Sequence, residues 1–429
     1  MKLGLISLGC AKNKVDSELF LGMAIKYGFE ITDSLDDADV IVVNTCGFIE
    51  EAKKESIDTI VDLIDYKKDG KIIIAMGCLV QRYLEELKKE LPEVSYFIPI
   101  SSYKDLPVLF KRLTSVDDAY PFNYKTRVLS TAPSTAYLRI GEGCNNRCSY
   151  CAIPLIRGSY WSRPLDELLD EAMMLSKMGV EELTIIAQDT SKYGIDLENA
   201  SLAILLEKLA QANLFKWIRV LYLYPDEITD ELIDTFSKYD CILNYFDIPI
   251  QHASDKLLKA MNRRGSKKDI TNLIKKIRNK IPDAIIRTTL IVGFPGETAR
   301  DYQILKDFVS EMRFEHLGIF TYSDEENTKA FDMYPKVRQS TMEKRRDELM
   351  QIQLDINTKR LSLLVGNTFE AICDHYDEEL SCFALRYYAQ ALDDVDGYIY
   401  VFNNNLTIGE FYNVKIIDVD GYDLIGEIE

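Results

Sequence analysis

The chain has 429 residues, of which 47% are hydrophobic and 28% are charged, and its formal net charge is −18. This length suggests two to three domains, each able to bury an apolar core. No apolar run approaches the roughly 20 residues that span a bilayer, and only Lys2 precedes the short first apolar stretch, so we expect a cytoplasmic protein without membrane segment or export signal.

Residues 1–125 alternate apolar strands with amphipathic helical stretches such as VDSELFLGMAIKYG, which predicts a parallel α/β sheet of the flavodoxin-like class. Cys10, Cys46 and Cys78 each stand where one of these strands ends. Ligands bind at the carboxyl edge of open α/β sheets, so the three thiols are predicted to converge on one metal site. Three buried core cysteines are the alternative, and in a reducing cytosol we expect no disulfide.

A second group, Cys144, Cys148 and Cys151, follows the strand-like run AYLRIGEG with the spacing CxxxCxxC. A structural zinc site would take four protein ligands, whereas three thiolates suit a 4Fe-4S cluster with one iron open to a non-protein ligand. The motif resembles the signature of the radical S-adenosylmethionine (SAM) enzymes, and a chance match on a surface loop is the alternative. The resemblance implies that the open iron binds SAM, that an electron from the cluster yields a 5'-deoxyadenosyl radical, and that Tyr150 lies near the adenine.

Six strand-like runs separated by helical stretches predict an incomplete (β/α)6 relative of the TIM barrel over residues 130–340. Gln188 and Asp189 occupy the place where the radical SAM family carries an acidic motif, although this chain has QD rather than the common GGE. Gly293, Pro295 and Glu297 resemble the family's glycine-containing turn beside the adenosine. A plain βα turn is the alternative for these last three residues.

Four further polar residues are candidates for substrate contacts. Gln251 and His252 end another predicted strand. For His252 two roles are equally compatible with this place: a functional contact, or a polar group that is satisfied by hydrogen bonds within the protein. Arg157 and Arg163 follow the CxxxCxxC loop and are candidates to hold a carboxylate or a phosphate. Solvated arginines are the alternative for both positions.

The last part of the chain is strongly acidic. Residues 341–365 are predicted to form one amphipathic linking helix, and residues 366–429 a small antiparallel β-barrel. These last 64 residues carry 14 acidic and 2 basic side chains, a net charge of −12. Because nucleic-acid affinity depends on Lys and Arg contacts with phosphates, we expect a basic protein partner rather than tRNA, and ribosomal proteins are the obvious cytosolic class.

Two cysteine trios on two α/β domains resemble the methylthiotransferases, a family of radical SAM enzymes, along the whole chain. The resemblance implies an N-terminal domain with an auxiliary 4Fe-4S cluster (1–125), a radical SAM core (130–340), the linking helix (341–365) and an OB-like TRAM domain (366–429). It implies two 4Fe-4S clusters and SAM as cofactors, and an electron donor such as flavodoxin or ferredoxin. One SAM would methylate a sulfur at the auxiliary cluster, and a second would supply the radical that activates the substrate carbon. We expect no catalytic residue beyond the cluster ligands, because cofactors perform the difficult step.

Within this family, LGCAKNKVDSE, NTCGFIEEAKKESID and DIPIQHASDKLLKAMNR resemble the branch that methylthiolates the β-carbon of an aspartate in small-subunit ribosomal protein S twelve. We therefore predict that activity. A tRNA adenosine methylthiotransferase is the alternative with the same clusters, and its branch carries a QSGS-like motif where this chain has residues 251–254. A non-enzymatic, metal-stabilised adaptor that binds RNA or the ribosome is the alternative of another class.

Overall fold

The computed structural model describes residues 1–114, 116, 120, 123–393, 395–402 and 405–429. They form two compact units, the first made of residues 1–130, 142–161 and 323–331, the second of residues 131–141, 162–322 and 332–429. The loop with Cys144, Cys148 and Cys151 therefore belongs to the unit of the N-terminal sheet, and the C-terminal barrel to the unit of the central strands. Of the helices in the described ranges, none is long and apolar enough to cross a membrane.

The N-terminal sheet has five strands. They are β1 (Lys2–Ser7), β2 (Glu30–Ile31), β3 (Val40–Thr45), β4 (Ile72–Gly77) and β5 (Tyr96–Pro99). All pairs are parallel, and the spatial order is β2-β1-β3-β4-β5. Every position of β3 is buried, as expected for a parallel strand that is covered on both faces. This strand order is that of flavodoxin-like folds, so the predicted class of the domain is confirmed.

Four helices pack on the two faces of this sheet. They are α1 (Ala11–Lys26), α2 (Glu50–Ile64), α3 (Cys78–Glu90) and α4 (Leu106–Thr114). The sequence predicts an amphipathic α1, but the structure buries polar side chains on it as well, among them Asn13, Asp16 and Glu18. Glu18 accepts hydrogen bonds from Arg127 Nε (3.1 Å) and from the backbone N–H of Ser130 (2.9 Å). Charges on this helix are thus balanced inside the unit.

A six-stranded sheet forms the centre of the second unit. From residue 135 to residue 321 the elements are β6 (Thr135–Arg139), β7 (Gly141–Glu142), α5 (Ile153–Arg157), β8 (Trp161–Ser162), α6 (Leu165–Lys177), β9 (Glu182–Ile186), α7 (Leu202–Ala212), β10 (Trp217–Val220), α8 (Asp230–Lys238), β11 (Ile242–Asp247), α9 (Asp255–Ala260), α10 (Lys267–Lys280), β12 (Ile285–Val292), α11 (Ala299–Met312) and β13 (His316–Thr321). Strand β6 and strands β9 to β13 pair in parallel in chain order, which confirms the predicted (β/α)6 architecture.

The chain ends in a long helix and a closed five-stranded barrel. These elements are α12 (Gln339–Ser362), β14 (Thr368–Asp377), β15 (Cys382–Tyr387), β16 (Ile399–Val401), β17 (Phe411–Asp420) and β18 (Asp423–Ile428). Four strand pairs are antiparallel, but β16 and β18 pair in parallel. The predicted small barrel is confirmed. Its one parallel pair is required, because an odd number of strands around a closed barrel cannot all alternate in direction.

A buried charge cluster joins β9 and β10 to the C-terminal barrel within the second unit. Glu182 accepts hydrogen bonds from Arg219 Nε and from Arg386 Nη2, both at 2.8 Å. Arg386 also donates to Asp374 Oδ1 at 2.9 Å. All four side chains are buried. Burial opposes ionisation of Glu182, but the two guanidinium groups outweigh it and hold the pKa of this carboxyl below its usual value.

Two acidic residues of the C-terminal barrel are buried inside the unit. Besides Asp374, Asp396 is buried and accepts a hydrogen bond from Tyr245 Oη at 2.5 Å. The outward negative charge of the barrel is therefore smaller than its net charge suggests. Most of the acidic residues that remain exposed lie on the hairpins β14–β15 and β17–β18. Among the described residues, the exposed ones are Glu370, Glu378, Glu379, Asp393, Glu410, Asp418, Asp420, Glu427 and Glu429.

Candidate functional site

The first cysteine trio follows three neighbouring parallel strands. Cys10, Cys46 and Cys78 come directly after β1, β3 and β4 or within three residues of them, and these strands lie side by side. A Cβ atom added at Gly9 would lie 3.1 Å from the Sγ of Cys46, so the loop before Cys10 touches Cys46. None of the nine cysteines forms a disulfide. The structure thus brings the three predicted ligands to one edge of the sheet.

The three thiols influence one another electrostatically. Burial raises the pKa of Cys46 to about 12, and the neighbouring Cys78 and Cys10 add to the rise. Burial also raises the pKa of Cys78, against the opposing charge of Arg157. Desolvation acts in the same direction on Cys10, but the charges of Lys12 and Arg157 outweigh it and lower its pKa. A bound metal centre relieves this mutual repulsion, because it stabilises thiolates.

The buried amide of Asn13 connects the loops of this trio. Its Nδ2 donates to the backbone carbonyls of Leu8 (3.0 Å) and Thr45 (2.9 Å), just before the first two cysteines. Its Oδ1 accepts hydrogen bonds from Cys78 Sγ (3.3 Å) and Arg157 Nη2 (2.6 Å). Partners of this kind fix the orientation of metal ligands. Asn13 was not identifiable from the sequence as a site residue, since its only signal is its place three residues after Cys10.

Two further residues hold the Cys46 loop, and sequence reasoning missed them too. The hydroxyl of Ser56 accepts a hydrogen bond from the backbone N–H of Cys46 (2.9 Å) and donates one to its carbonyl (3.0 Å). Arg82 Nη1 donates to the carbonyl of Gly47 (2.8 Å) and to Glu325 Oε2 (2.7 Å). Both sides of the loop are thereby fixed before any ligand binds.

The donor set of the first trio suits an iron-sulfur cluster. Its three donors are cysteine sulfurs, and cysteine thiolates are the usual protein ligands of a 4Fe-4S cluster. Thiolates are soft donors that select iron-sulfur centres over hard cations. These residues therefore fit a cluster with three protein ligands.

The second trio lies on the loop between β7 and α5. Cys144, Cys148 and Cys151 are all half-buried. The backbone N–H of Cys144 donates to the carbonyl of Gly158 (3.1 Å), and that of Cys151 donates to the carbonyl of Cys148 (3.1 Å). Tyr150 is half-buried in the turn between the last two cysteines. Backbone hydrogen bonds thus hold the loop in shape, and its three cysteines are half-buried.

Gly143 is expected to be essential for the shape of this loop. Its φ is 75°, and a Cβ atom there would lie 2.3 Å from the carbonyl oxygen of Ser159. Gly158 is the control, because its φ is also positive, at 74°, but no atom lies within 4 Å of its Cβ position. We expect Gly143→Ala to lose iron from the second trio and to lose SAM cleavage. Gly158→Ala should cost only backbone strain, about 1–3 kcal/mol, because its φ of 74° and ψ of −161° lie in a region that is almost restricted to glycine, and iron should be retained. Iron content and cleavage of SAM measure both effects, and equal losses in the two variants would contradict the expectation.

Gln188 and Asp189 stand at the carboxyl edge of the six-stranded sheet, directly after β9. Asp189 is buried and its Oδ1 accepts a hydrogen bond from the hydroxyl of Ser191 (2.6 Å). That hydroxyl in turn accepts one from the backbone N–H of Tyr224 (2.9 Å). The end of β9 is therefore tied to the segment after β10. Contact of Gln188 and Asp189 with SAM stays a prediction.

Gln251 and His252 lie at the same edge, after β11. Gln251 has a φ of 71°, which side chains rarely adopt, and its backbone pairs with Thr289 (2.9 Å). Strained residues of this kind cluster at functional sites. The buried His252 accepts hydrogen bonds at Nδ1 from the N–H groups of Ala253 and Ser254, both 2.9 Å, so Nε2 carries the proton. Nδ1 of this histidine is thus a satisfied polar group, and contact of either residue with substrate stays a prediction.

The turn Gly293 to Glu297 is buried. Glu297 Oε2 accepts a hydrogen bond from the backbone N–H of Gly293, and Oε1 lies 3.2 Å from Arg345 Nη1. A Cβ atom at Gly293 would overlap Met342 of α12. Both residues therefore stabilise a tight βα turn that includes Pro295. A role of the turn beside SAM stays a prediction.

The two arginines predicted to bind substrate are instead committed to internal carboxylates. Arg163 is 1% exposed and donates from Nη1 to Glu171 (2.6 Å) and to the carbonyl of Arg139 (2.9 Å). The buried Arg157 pairs with Asp16 at 2.8 Å. The structure corrects both assignments, because a guanidinium that is buried and already paired inside the protein is not accessible to an incoming phosphate or carboxylate.

Three segments match described families. Residues 2–99 match Uncharacterized protein family UPF0004, residues 138–309 the Radical SAM superfamily, and residues 365–428 the TRAM domain. Among solved structures, the radical S-adenosylmethionine methyltransferase TsrM from Kitasatospora setae, with cobalamin and a 4Fe-4S cluster bound, is similar in fold, with a TM-score of 0.57 at 14% identity over 77% of this chain and 76% of that one. Fold and motif together define the class: the chain is a radical SAM enzyme, which implies SAM and a 4Fe-4S cluster.

Relatives of high identity narrow the class. The protein of Clostridioides difficile (strain 630) named Ribosomal protein uS12 methylthiotransferase RimO is 46% identical over 100% of this chain and 99% of its own length. The protein of the same name from Aquifex aeolicus (strain VF5) is 46% identical over 99% of this chain and 97% of its own length. The chain belongs to the RimO family. The predicted family is confirmed, and the non-enzymatic adaptor is set aside.

Proposed function

We propose that this enzyme attaches a methylthio group to the β-carbon of an aspartate in ribosomal protein uS12, with two 4Fe-4S clusters and SAM as cofactors. The observation that carries the proposal is the presence of two separate trios of cysteines outside disulfides, one at the edge of the N-terminal sheet and one on the CxxxCxxC loop. Relatives with 46% identity over nearly their whole length carry the name of this activity. One trio would suffice for SAM cleavage alone, so the second indicates a further function.

The two clusters would supply different chemistry: one cleaves SAM to a radical, and the other holds the sulfur that is transferred. Cys144, Cys148 and Cys151 would hold the first. Soft thiolates at Cys10, Cys46 and Cys78 would hold the second. Asn13 keeps the three loops of this auxiliary trio at fixed distances from each other. The chain thus contributes ligand geometry, and no acid-base residue is required.

Binding of SAM is proposed at the carboxyl edge of the six-stranded sheet. The candidates there are Gln188 and Asp189 after β9, and Gly293 and Glu297 in the turn after β12. The proposed role of Tyr150 is to lie near the adenine. The support for the first four residues is their place at the strand ends, where α/β folds bind ligands. Gln251 and His252 are proposed to lie near substrate at the same edge.

The exposed acidic residues of the C-terminal barrel support a basic partner. Most of them lie on two hairpins, and the described basic residues of this domain are Arg386, which is buried, and Lys415. Long-range attraction would steer a basic ribosomal protein toward this surface and would weaken with salt. We place the enzyme in the cytoplasm with the ribosome, and expect flavodoxin or ferredoxin as electron donor.

Mass spectrometry of ribosomal protein uS12 from a strain that lacks this chain tests the proposal. We expect the methylthio increment on one aspartate to disappear completely and to return when the wild-type chain is supplied. A chain with Cys148→Ala is the matched control and should not restore it. An unchanged increment in the deletion strain, or loss of a methylthio adenosine from its tRNA instead, would reject the assignment.

A further inference from the structure

Arg157 connects the two cysteine-bearing segments of the first unit. It is the last residue of α5, the short helix that follows Cys151. Yet its guanidinium lies at the other trio, where Nη2 donates to Cys78 Sγ (3.4 Å) and to Asn13 Oδ1 (2.6 Å). The segment that carries the CxxxCxxC motif therefore also provides a charged donor to a ligand of the auxiliary trio.

Apolar packing gives the same connection independently. Cys78, Ala152 and Ile156 form one buried apolar cluster, with Ile100 packed against it. Ala152 directly follows Cys151, and Ile156 directly precedes Arg157. Cys78 is thus contacted by both the polar and the apolar side of α5.

Two carboxylates fix the guanidinium in place. Arg157 Nη1 lies 2.8 Å from Asp16 Oδ2 and 3.4 Å from Glu142 Oε2, and all three side chains are largely buried. A planar guanidinium with partners on several sides is held in one orientation. In a low-dielectric interior, charge near a sulfur has a stronger effect than at the surface. The arrangement resembles a built support for Cys78 rather than a surface ion pair.

The geometry points to Arg157 as a positioning residue that orients Cys78 and raises the reduction potential of the auxiliary cluster. This inference rests on the auxiliary cluster of the proposed function. A reduced cluster carries one more negative charge than an oxidised one. A positive charge and an N–H group at its sulfur ligand therefore stabilise the reduced form and raise the potential.

The test uses the full chain with Cys144→Ala, Cys148→Ala and Cys151→Ala. These substitutions remove the second trio, so only the auxiliary cluster is present. Redox titration followed by electron paramagnetic resonance gives the midpoint potential without any substrate. We expect Arg157→Gln to shift the potential to a more negative value at unchanged iron content. Arg157→Lys keeps the charge but loses the planar fork, so its shift should be smaller.

Arg163→Gln is the matched control, because it removes an equally buried, carboxylate-paired arginine that does not contact the trio. It should leave the potential unchanged, and an equal shift there would overturn the inference. If Arg157→Gln does not fold, the double variant Asp16→Asn, Arg157→Gln replaces it in the redox titration. This variant also removes one of the carboxylates that Arg157 neutralises. If Arg157→Gln binds iron and its reduction potential is unchanged, only the proposed role of Arg157 is overturned. If the chain without the second trio binds no iron, the auxiliary cluster of the proposed function is overturned as well.

Discussion

Cys148→Ala and Cys78→Ala are both expected to abolish methylthio transfer, but through different steps. Cys148→Ala should lose SAM cleavage and with it 5'-deoxyadenosine. Cys78→Ala should still form 5'-deoxyadenosine, because its second trio is intact, but no methylthio product. Loss of partners that merely support metal ligands costs roughly 10–100-fold, so loss of a ligand should lower product by more than about 100-fold. Anaerobic turnover with chromatographic measurement of both products distinguishes the two steps.

Cys241→Ala is the control for this pair, because Cys241 is a half-buried thiol outside both trios. It should retain iron and turnover. The distinction between the steps would be contradicted if Cys78→Ala also lost 5'-deoxyadenosine while its second trio still held iron. It would also be contradicted if Cys148→Ala continued to cleave SAM.

Glu182→Gln is expected to destabilise the second unit by about 3–5 kcal/mol, the usual cost of removing one partner from a buried ion pair. The substitution leaves Arg219 and Arg386 buried with only Asp374 to balance them. Because Arg386 belongs to the C-terminal barrel and Arg219 to β10, the loss should loosen the contact between the barrel and the sheet within this unit. The free energy of unfolding from denaturant titration measures the effect.

Glu370→Gln provides the matched control. Glu370 Oε1 pairs with Lys216 Nζ at 2.6 Å and also links the C-terminal barrel to the central region, but both side chains are partly exposed. Exposed pairs contribute about 0–1 kcal/mol, so this variant should unfold nearly like the wild type. Equal losses in the two variants would show that burial is not what makes the Glu182 pair important.

The sequence predicted those parts of the fold that depend on the local order of apolar strands and helical stretches. Apolar strands that alternate with helical stretches predict parallel sheets, and a cysteine directly after such a strand lies at the carboxyl edge whatever the rest of the chain does. Cys10, Cys46 and Cys78 meet for this reason. The parallel closing pair of the C-terminal barrel was not predicted, because runs of strand residues do not show which strands become neighbours.

The supporting residues were not predictable from the sequence. Asn13 and Arg157 are 144 positions apart in sequence, yet their side chains are hydrogen-bonded. A charge count gives the net −12 of residues 366–429 but does not show that Asp374 and Asp396 are buried against partners. In the same way, sequence alone assigned Arg157 and Arg163 to substrate, whereas burial and paired carboxylates assign them to the protein interior. Pairing of charges is a tertiary property.

Mössbauer spectroscopy of protein grown on isotopically enriched iron tests most directly that two cysteine trios hold two separate clusters. The wild type should contain about eight irons as two 4Fe-4S clusters. The variant Cys10→Ala, Cys46→Ala, Cys78→Ala and the variant Cys144→Ala, Cys148→Ala, Cys151→Ala should each retain one cluster, and added SAM should perturb the spectrum only of the former. A wild type with a single cluster, or a loss of all iron in either variant, would contradict the two-site arrangement.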